Sequence, residues 1–232
     1  MKRIDPARQE AKRRAAERAV ALVEDGMVLG LGSGSTAGLA LEALAKRIAG
    51  GLWIAGGIPT SERTAVIAKR LGIPLTDFER SPKIDLAIDG ADQVERGTLN
   101  LVKGLGGALL REKIIAGASK TVVIVADESK LVPQLGGATP VPVEIVRFGW
   151  QTVLERLRGL GCTAELRRIE QATFVTDGGN YIADCSFDAI PDAAALEASI
   201  ARIVGVVESG LFVGMATQAM IGTAEGVEIL AR

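Results

Sequence analysis

Residues 84–114 read IDLAIDGADQVERGTLNLVKGLGGALLREKI. Ile84 to Ile88 is an apolar run interrupted only by Asp85, which predicts a buried strand. The run ends at Asp89-Gly90-Ala91-Asp92, a turn carrying two carboxylates. Asn100 to Lys103 then leads into a loop with Gly104, Leu105, Gly106 and Gly107, and Ala108 to Ala116 reads as a helix with Glu112 one turn inside it. In an open α/β sheet ligands sit beyond the carboxyl ends of the strands, which is where this pattern puts Asp89. A carboxylate base, a fixed lysine and a run of backbone N–H groups are the parts needed to take a proton from carbon beside a carbonyl and hold the oxygen that becomes negative.

The neighbouring segments continue the α/β pattern. Asp5-Pro6 is an N-cap followed by proline at the first helical position, and the helix it starts is expected to run to Val23, with Gly26 as its stop. Lys12 lies on it. Met27 to Leu31 reads as a buried strand, followed by Gly32-Ser33-Gly34-Ser35-Thr36 and a helix from Ala37 to about Ile48. A Gly/Ser loop between strand and helix is an anion site, because free N–H groups and the helix dipole face the ligand. The acidic residue that a dinucleotide fold places about 20 positions further on is replaced by Leu52-Trp53-Ile54-Ala55, and no Walker lysine follows, so a small phosphate suits the loop better. Trp53 to Ala55 reads as a second strand, and Thr60-Ser61-Glu62 as the cap of a helix ending near Leu71. Thr121 to Ala126 is a further buried strand, with Lys130 just beyond its carboxyl end.

A loop rich in glycine and proline from Pro133 to Pro142 marks a boundary. Strand Val141–Phe148, helix Gln151–Leu160, strand Thr163–Arg168, a hairpin of Phe174–Thr176 with Tyr181–Cys185, helix Asp192–Ile203 and strand Val204–Glu208 then spell β-α-β-β-α-β. The expected fold is α/β: a Rossmann-like parallel-sheet domain over 1–136 and 209–232, and a smaller α+β domain of split βαβ, ferredoxin-like type over 137–208. The tail from Leu211 is expected to return to the first domain.

Composition narrows the chemistry. The 232-residue chain is 48% hydrophobic with only 3% aromatics, so its cores are aliphatic. It has no histidine, which excludes Ser-His-Asp and Cys-His catalysis and histidine-ligated metals. Asp89-x-x-Asp92 on its own would suit a weakly held hard cation or an Asx turn. Taken singly, Lys12 also reads as a surface charge, Glu112 as a partner for Arg111 or Lys113, and the Gly/Ser loop as helix capping. The net charge of −1 without a basic run leaves no nucleic-acid footprint. Cys162 and Cys185 have no metal spacing and read as buried or half-buried thiols suited to a reducing cytoplasm. No apolar run is long enough to span a membrane.

Together the motifs resemble the type A ribose-5-phosphate isomerase family. They are Gly32-Ser-Gly-Ser-Thr-Ala37, Asp89-Gly-Ala-Asp92, Lys103-Gly-Leu-Gly-Gly-Ala-Leu109, Arg111-Glu-Lys-Ile114, Asp127-Glu-Ser-Lys130, Pro142-Val-Glu-Ile145, Thr176-Asp-Gly-Gly-Asn180 and Gly210-Leu-Phe212, in order along nearly the whole chain. The resemblance implies interconversion of ribose 5-phosphate and ribulose 5-phosphate through an enediolate, in the non-oxidative pentose phosphate pathway. It implies Glu112 as the base moving a proton between C2 and C1, and Asp89 assisting ring opening and proton traffic at the sugar oxygens. Lys103 and the N–H groups from Gly104 to Gly107 would hold the enediolate oxygen, and Asp92 would orient Lys103 or a sugar hydroxyl. Ser33, Gly34, Ser35 and Thr36, with Lys12 and Lys130, would hold substrate chiefly at its phosphate; Gly90, Ala91, Gly104, Leu105 and Gly106 would line the site. The resemblance implies no metal or organic cofactor, and a homodimer or homotetramer. Ser33 stands where threonine is common, Leu105 interrupts a glycine run that is often longer, and Asp-Gly-Gly-Asn replaces the commoner Asp-Asn-Gly-Asn.

Other functions fit less well. A sugar-phosphate deaminase is expected to need a catalytic histidine, and a CoA transferase a glutamate nucleophile with room for CoA. A non-catalytic sensor has no reason to keep both Glu112 and Lys103.

Overall fold

The structure, a computed structural model, describes residues 5–232. Along the chain run α1 (Pro6–Val20), β1 (Val28–Leu31), α2 (Gly34–Ala49), β2 (Gly56–Pro59), α3 (Glu62–Arg70), β3 (Ile84–Gly90), β4 (Gln93–Glu95), β5 (Leu101–Val102), α4 (Leu109–Gly117) and β6 (Ser119–Asp127). After a single helical turn at Glu128–Lys130 come β7 (Leu131–Val132), β8 (Val141–Ile145), α5 (Trp150–Arg158), β9 (Thr163–Leu166), β10 (Arg168–Ile169) and β11 (Ala172–Thr173). The chain closes with β12 (Tyr181–Ser186), α6 (Ala193–Ala201), β13 (Val206–Ser209), β14 (Leu211–Phe212), β15 (Gln218–Gly222) and β16 (Val227–Ala231).

The chain forms two compact units: residues up to Ala91, Arg111–Leu131 and Met215–Arg232 make the first, Asp92–Leu110 and Val132–Gly214 the second. This differs from a division at 136/137 and 208/209. One boundary falls at Leu131/Val132, directly before the Pro/Gly loop, but Asp92–Leu110 also joins the second unit, because Val102 of β5 is buried among Val141, Val143, Ile145 and Leu211. β5 also pairs with β4 on one side and β14 on the other, drawing residues 92–110 and 211–214 into the second unit. The tail therefore returns to the first unit only from Met215.

In the first unit β2-β1-β3-β6-β15 are parallel neighbours, and β16 runs antiparallel on the outer edge of β15. β1 lies between β2 and β3, so the chain leaves it first to one side and then to the other; the carboxyl ends of β1 and β3 form the topological switch point. The core is aliphatic, with Leu29, Leu31, Leu39, Leu41, Leu44, Val123 and Val125 buried. On α1, Ala11, Ala15, Ala16, Ala19 and Val20 form the buried face. The Asp5 carboxylate accepts the Ala7 N–H at 3.0 Å, as an N-cap does. The helix stops at Val20 rather than Val23, where Arg47 of α2 donates to the carbonyls of Val20 and Val23.

β2 begins at Gly56, not at Trp53: Trp53 is 64% exposed, and the paired residues are Gly56 to Pro59. Two glycines at the start of a strand hide it from a reading by β propensity.

In the second unit β8-α5-β9-β12-α6-β13 builds an antiparallel sheet in the order β13-β8-β12-β9, the split βαβ arrangement. The hairpin expected from Phe174–Thr176 is absent. β12 pairs with β8 and β9, whereas β10 and β11 pair with each other. Thr176 instead closes a turn, its N–H donating to Asn180 O at 2.9 Å.

That turn explains two of the sequence motifs as one interaction. Glu144 of β8 is 1% exposed, and its Oε1 accepts from Thr176 Oγ1 and Asn180 Nδ2, both at 2.9 Å. Removing the carboxylate strands two donors. Glu144→Ala is expected to lose about 2–4 kcal/mol of stability, read as a lower urea midpoint at unchanged m.

Candidate active site

One set of the candidate residues is built at the switch point. The backbone of Gly32, just past β1, lies against the end of β3: a Cβ there would sit 2.4 Å from Asp89 Oδ1 and 2.5 Å from Ile88 O, so no side chain fits. Gly32 N–H donates to Ile88 O at 3.0 Å. Asp89, 6% exposed, accepts from Ser33 N–H at 3.0 Å and Gly90 N–H at 2.7 Å through Oδ1. Ser33 is the N-cap residue of α2, yet its hydroxyl makes no capping bond; it donates to Glu112 Oε1. Glu112, in the first turn of α4, is 6% exposed. Ser33, Asp89 and Glu112 are thus one hydrogen-bonded set, although they are far apart in sequence.

A cationic cluster flanks this set. Lys12 Nζ on α1 lies 3.2 Å from Ser35 Oγ on the first turn of α2 and 3.9 Å from Asp127 Oδ2 at the carboxyl end of β6. Arg8 Nε donates to Asp127 Oδ1 at 2.9 Å, and Arg8 also bonds Ser129 Oγ. Burial pushes the Lys12 pKa below the ordinary lysine value; Asp127 opposes this, and the charges of Arg8 and Lys130 add to it. Lys130 therefore belongs to the same cluster. Burial works against ionised Asp127, but hydrogen bonds from Ser129 and Arg8 and the guanidinium charge outweigh it and hold the carboxyl below its usual range. Gly34 and Thr36 lie in the first turn of α2, and Ala91, half-buried, follows β3. Ser61 serves as a cap, accepting Thr64 N–H at 3.0 Å.

A separate set of the candidate residues lies wholly in the second unit. Lys103, 4% exposed, continues β5; its N–H donates to Gly210 O at 2.8 Å and its Nζ stands 5.4 Å from the centre of the Phe212 ring. Gly104 and Gly107 take φ of +100° and +83°, and Gly107 N–H closes a turn on Gly104 O at 2.9 Å. Asp92 ties down this turn: its Oδ2 accepts Leu105 N–H at 2.9 Å. The expected run of N–H groups from Gly104 to Gly107 is thus reduced, since Leu105 gives its N–H to Asp92 and Gly107 gives its own to Gly104 O. Among the described residues no acceptor meets the N–H of Gly104 or of exposed Gly106.

Asp127, Arg8 and Ser129 carry no role legible from sequence, nor does Arg167, whose guanidinium reaches the carbonyls of the glycine loop. Asp127 opens the motif Asp127-Glu-Ser-Lys130; Arg8 and Arg167 carry no sequence signal. Among the described residues no group of three or more Cys, Asp and Glu converges as a metal site.

The profile of Ribose 5-phosphate isomerase A (phosphoriboisomerase A) matches residues 56–226. The chain belongs to this family. It is 53% identical over 223 residues to ribose-5-phosphate isomerase A of Synechococcus sp. (strain JA-3-3Ab), covering 95% of this chain and 96% of that one. To the enzyme of Gloeobacter violaceus it is 54% identical over 219 residues, covering 94% and 95%. The solved structure from Methanocaldococcus jannaschii superposes with a TM-score of 0.92 at 40% identity, over 97% of this chain and 99% of that one. A ribose-5-phosphate isomerase solved in complex with phospho-erythronic acid also gives 0.92, at 38% identity over 97% and 99%.

Two outcomes follow from the residues of the first unit. Ser33→Ala removes a donor from Glu112 Oε1 and should lower kcat about tenfold or more with a smaller change in KM, measured by steady-state kinetics. Asp127 has a folded pKa below its unfolded value of about 3.9, so its contribution to stability is present above that pH and is lost as pH falls through the folded pKa. The difference in unfolding free energy between the wild type and Asp127→Asn should be flat above about pH 5 and shrink below about pH 4.

Proposed function

We propose that this chain interconverts ribose 5-phosphate and ribulose 5-phosphate with Glu112 as the carbon base. Family membership supports the isomerase activity, and the observation that carries the residue roles is the hydrogen-bonded Ser33–Glu112–Asp89 set beside the carboxyl ends of parallel strands. In the forward direction Glu112 takes the proton from C2 of the open-chain aldose. The C–H electron pair becomes the C1–C2 double bond, and the C1 oxygen takes the negative charge. A proton passes from the C2 oxygen to the C1 oxygen, and Glu112 returns its proton to C1. Asp89 serves ring opening and proton traffic at the sugar oxygens, its carboxylate oriented by two backbone N–H groups.

Lys103 and the loop that follows it hold the enediolate oxygen: a lysine kept largely out of water acts more strongly than an exposed one. Asp92 lines the site and anchors the loop through Leu105. The phosphate belongs with Lys12, Lys130 and the Ser33–Thr36 turn, where a helix N-terminus and two ammonium groups suit a dianion. Asp127 keeps this cluster compact by offsetting part of its own charge.

The reading includes a homodimer or homotetramer in the cytoplasm. Exposed apolar Phe148 and Val204 on the second unit agree with a surface used in assembly, and two free cysteines with a reducing compartment. No described helix is long and apolar enough to cross a membrane.

The test is conversion of ribose 5-phosphate to ribulose 5-phosphate with EDTA present. Wild type should keep full activity, and Glu112→Gln should lose about three or more orders of magnitude in kcat while still binding substrate. Activity of Glu112→Gln within tenfold of wild type would move the base elsewhere. Binding without turnover by the folded wild type would make the chain a sugar-phosphate receptor.

A further inference from the structure

Arg167 stands just past β9, outside every motif that carries the family resemblance. Its guanidinium nevertheless grips the loop that follows Lys103. Nη1 donates to Gly104 O at 2.9 Å and to Leu105 O at 3.1 Å. Nε donates to Asp184 Oδ2 at 2.9 Å, and Nη2 to Asp184 Oδ1, a forked pair on β12. The Arg167 side chain is 10% exposed. The Phe174 ring lies 5.8 Å from the guanidinium carbon and covers the other end of the loop, where a Cβ on Gly107 would sit 2.3 Å from Phe174 Cζ.

The backbone fixes Arg167 itself. Its N–H donates to Ile182 O at 2.8 Å, and its carbonyl accepts Phe174 N–H at 3.0 Å. The paired strands β9 and β12 thus deliver the guanidinium and its carboxylate to the glycine loop, and Phe174, just past β11, is held beside them through the Arg167 carbonyl.

A planar trans peptide points its N–H opposite its C=O. Holding Gly104 O therefore directs the Leu105 N–H, and holding Leu105 O directs the Gly106 N–H. The Leu105 N–H is taken by Asp92, whereas the Gly106 N–H is exposed and meets no acceptor among the described residues. A cation on the carbonyl side of a peptide also polarises its N–H into a stronger donor.

We infer that Arg167, held by Asp184, is a positioning residue of the isomerisation: it sets the direction and strength of the Gly106 N–H as a donor to the oxygen that becomes negative. Arg167 touches no substrate and acts only through the loop. The inference rests on the reading of residues 103–107 as the loop that holds this oxygen. Lysine cannot replace it, because an ammonium has no planar fork to serve a carboxylate and two carbonyls together.

The experiment is steady-state kinetics on ribose 5-phosphate for Arg167→Lys, Arg167→Ala and Lys103→Met, with thermal melts of each. Arg167→Lys should lower kcat about 10- to 100-fold. Its KM should stay within about threefold of wild type, since the phosphate is held elsewhere. Arg167→Ala should fall at least as far and recover about tenfold or more with millimolar methylguanidinium, which refills the space between Asp184 and the carbonyls. Rescue of this kind would not follow from a merely structural arginine. If Arg167→Ala does not fold, the kcat and KM of Arg167→Lys decide alone. Arg167→Lys within twofold of wild type in kcat, a loss confined to KM, or a folded Arg167→Ala that methylguanidinium does not restore would each overturn the inference. Lys103→Met separates the two levels: loss of activity there with active Arg167 variants refutes only the role of Arg167, whereas an active Lys103→Met removes the loop reading beneath it.

Discussion

The close approach of Gly32 to Asp89 is the constraint on which the first unit's chemistry depends. β1 and β3 are neighbours in a parallel sheet, and the chain leaving β1 must turn directly over the end of β3. Only a residue without a Cβ passes there, because any side chain would collide with the Asp89 carboxylate and the Ile88 carbonyl. With glycine in place, Asp89 takes the next backbone N–H, and Ser33 is turned so that its hydroxyl reaches Glu112 instead of capping its own helix. A methyl group at residue 32 would disturb all three side chains at once.

The second unit solves a different problem. A glycine-rich turn with two residues at positive φ has little intrinsic preference for one shape, since glycine loses more freedom on ordering than any other residue. Its shape is imposed from outside. Asp92 holds one N–H, Arg167 holds two carbonyls, and Phe174 fills the space beside Gly107. All three side chains belong to the second unit, two of them beside the small antiparallel sheet. Residues 92–110 thus fold with that sheet even though residues 89–91 and 111–114 fold with the parallel one.

Charge is handled locally throughout. Desolvating an ionised side chain costs several kcal/mol unless hydrogen bonds and opposite charges replace the lost water. Asp127 is compensated by Arg8 and Ser129, and Glu144 by Thr176 and Asn180; Arg167 is matched to Asp184, and Lys103 rests over Phe212. A chain without histidine must rely on carboxylates and lysines, and these contacts give several of them partners in place of water.

Much of this was legible in the residues. Apolar runs such as Ile84–Ile88 and Thr121–Ala126 marked parallel strands because strands covered on both faces need nearly continuous apolar sequence. Turns rich in Gly, Ser and Asp marked their carboxyl ends, the absence of histidine restricted the bases, and the order of motifs pointed to the family. Other features were hidden. β2 opens on two glycines, and the Thr176–Asn180 turn resembles a hairpin when only its sequence is seen. The contacts Ser33–Glu112, Arg8–Asp127 and Arg167–Gly104 join residues at long sequence separation, and neither propensity nor spacing encodes such pairs. The sequence by itself determined which groups are available and which strand ends carry them, because periodicity and turn chemistry are local. Only the tertiary structure decided which carboxylate each hydroxyl and guanidinium meets, and in which unit each candidate residue stands, because those depend on strand order and on the space left between packed backbones.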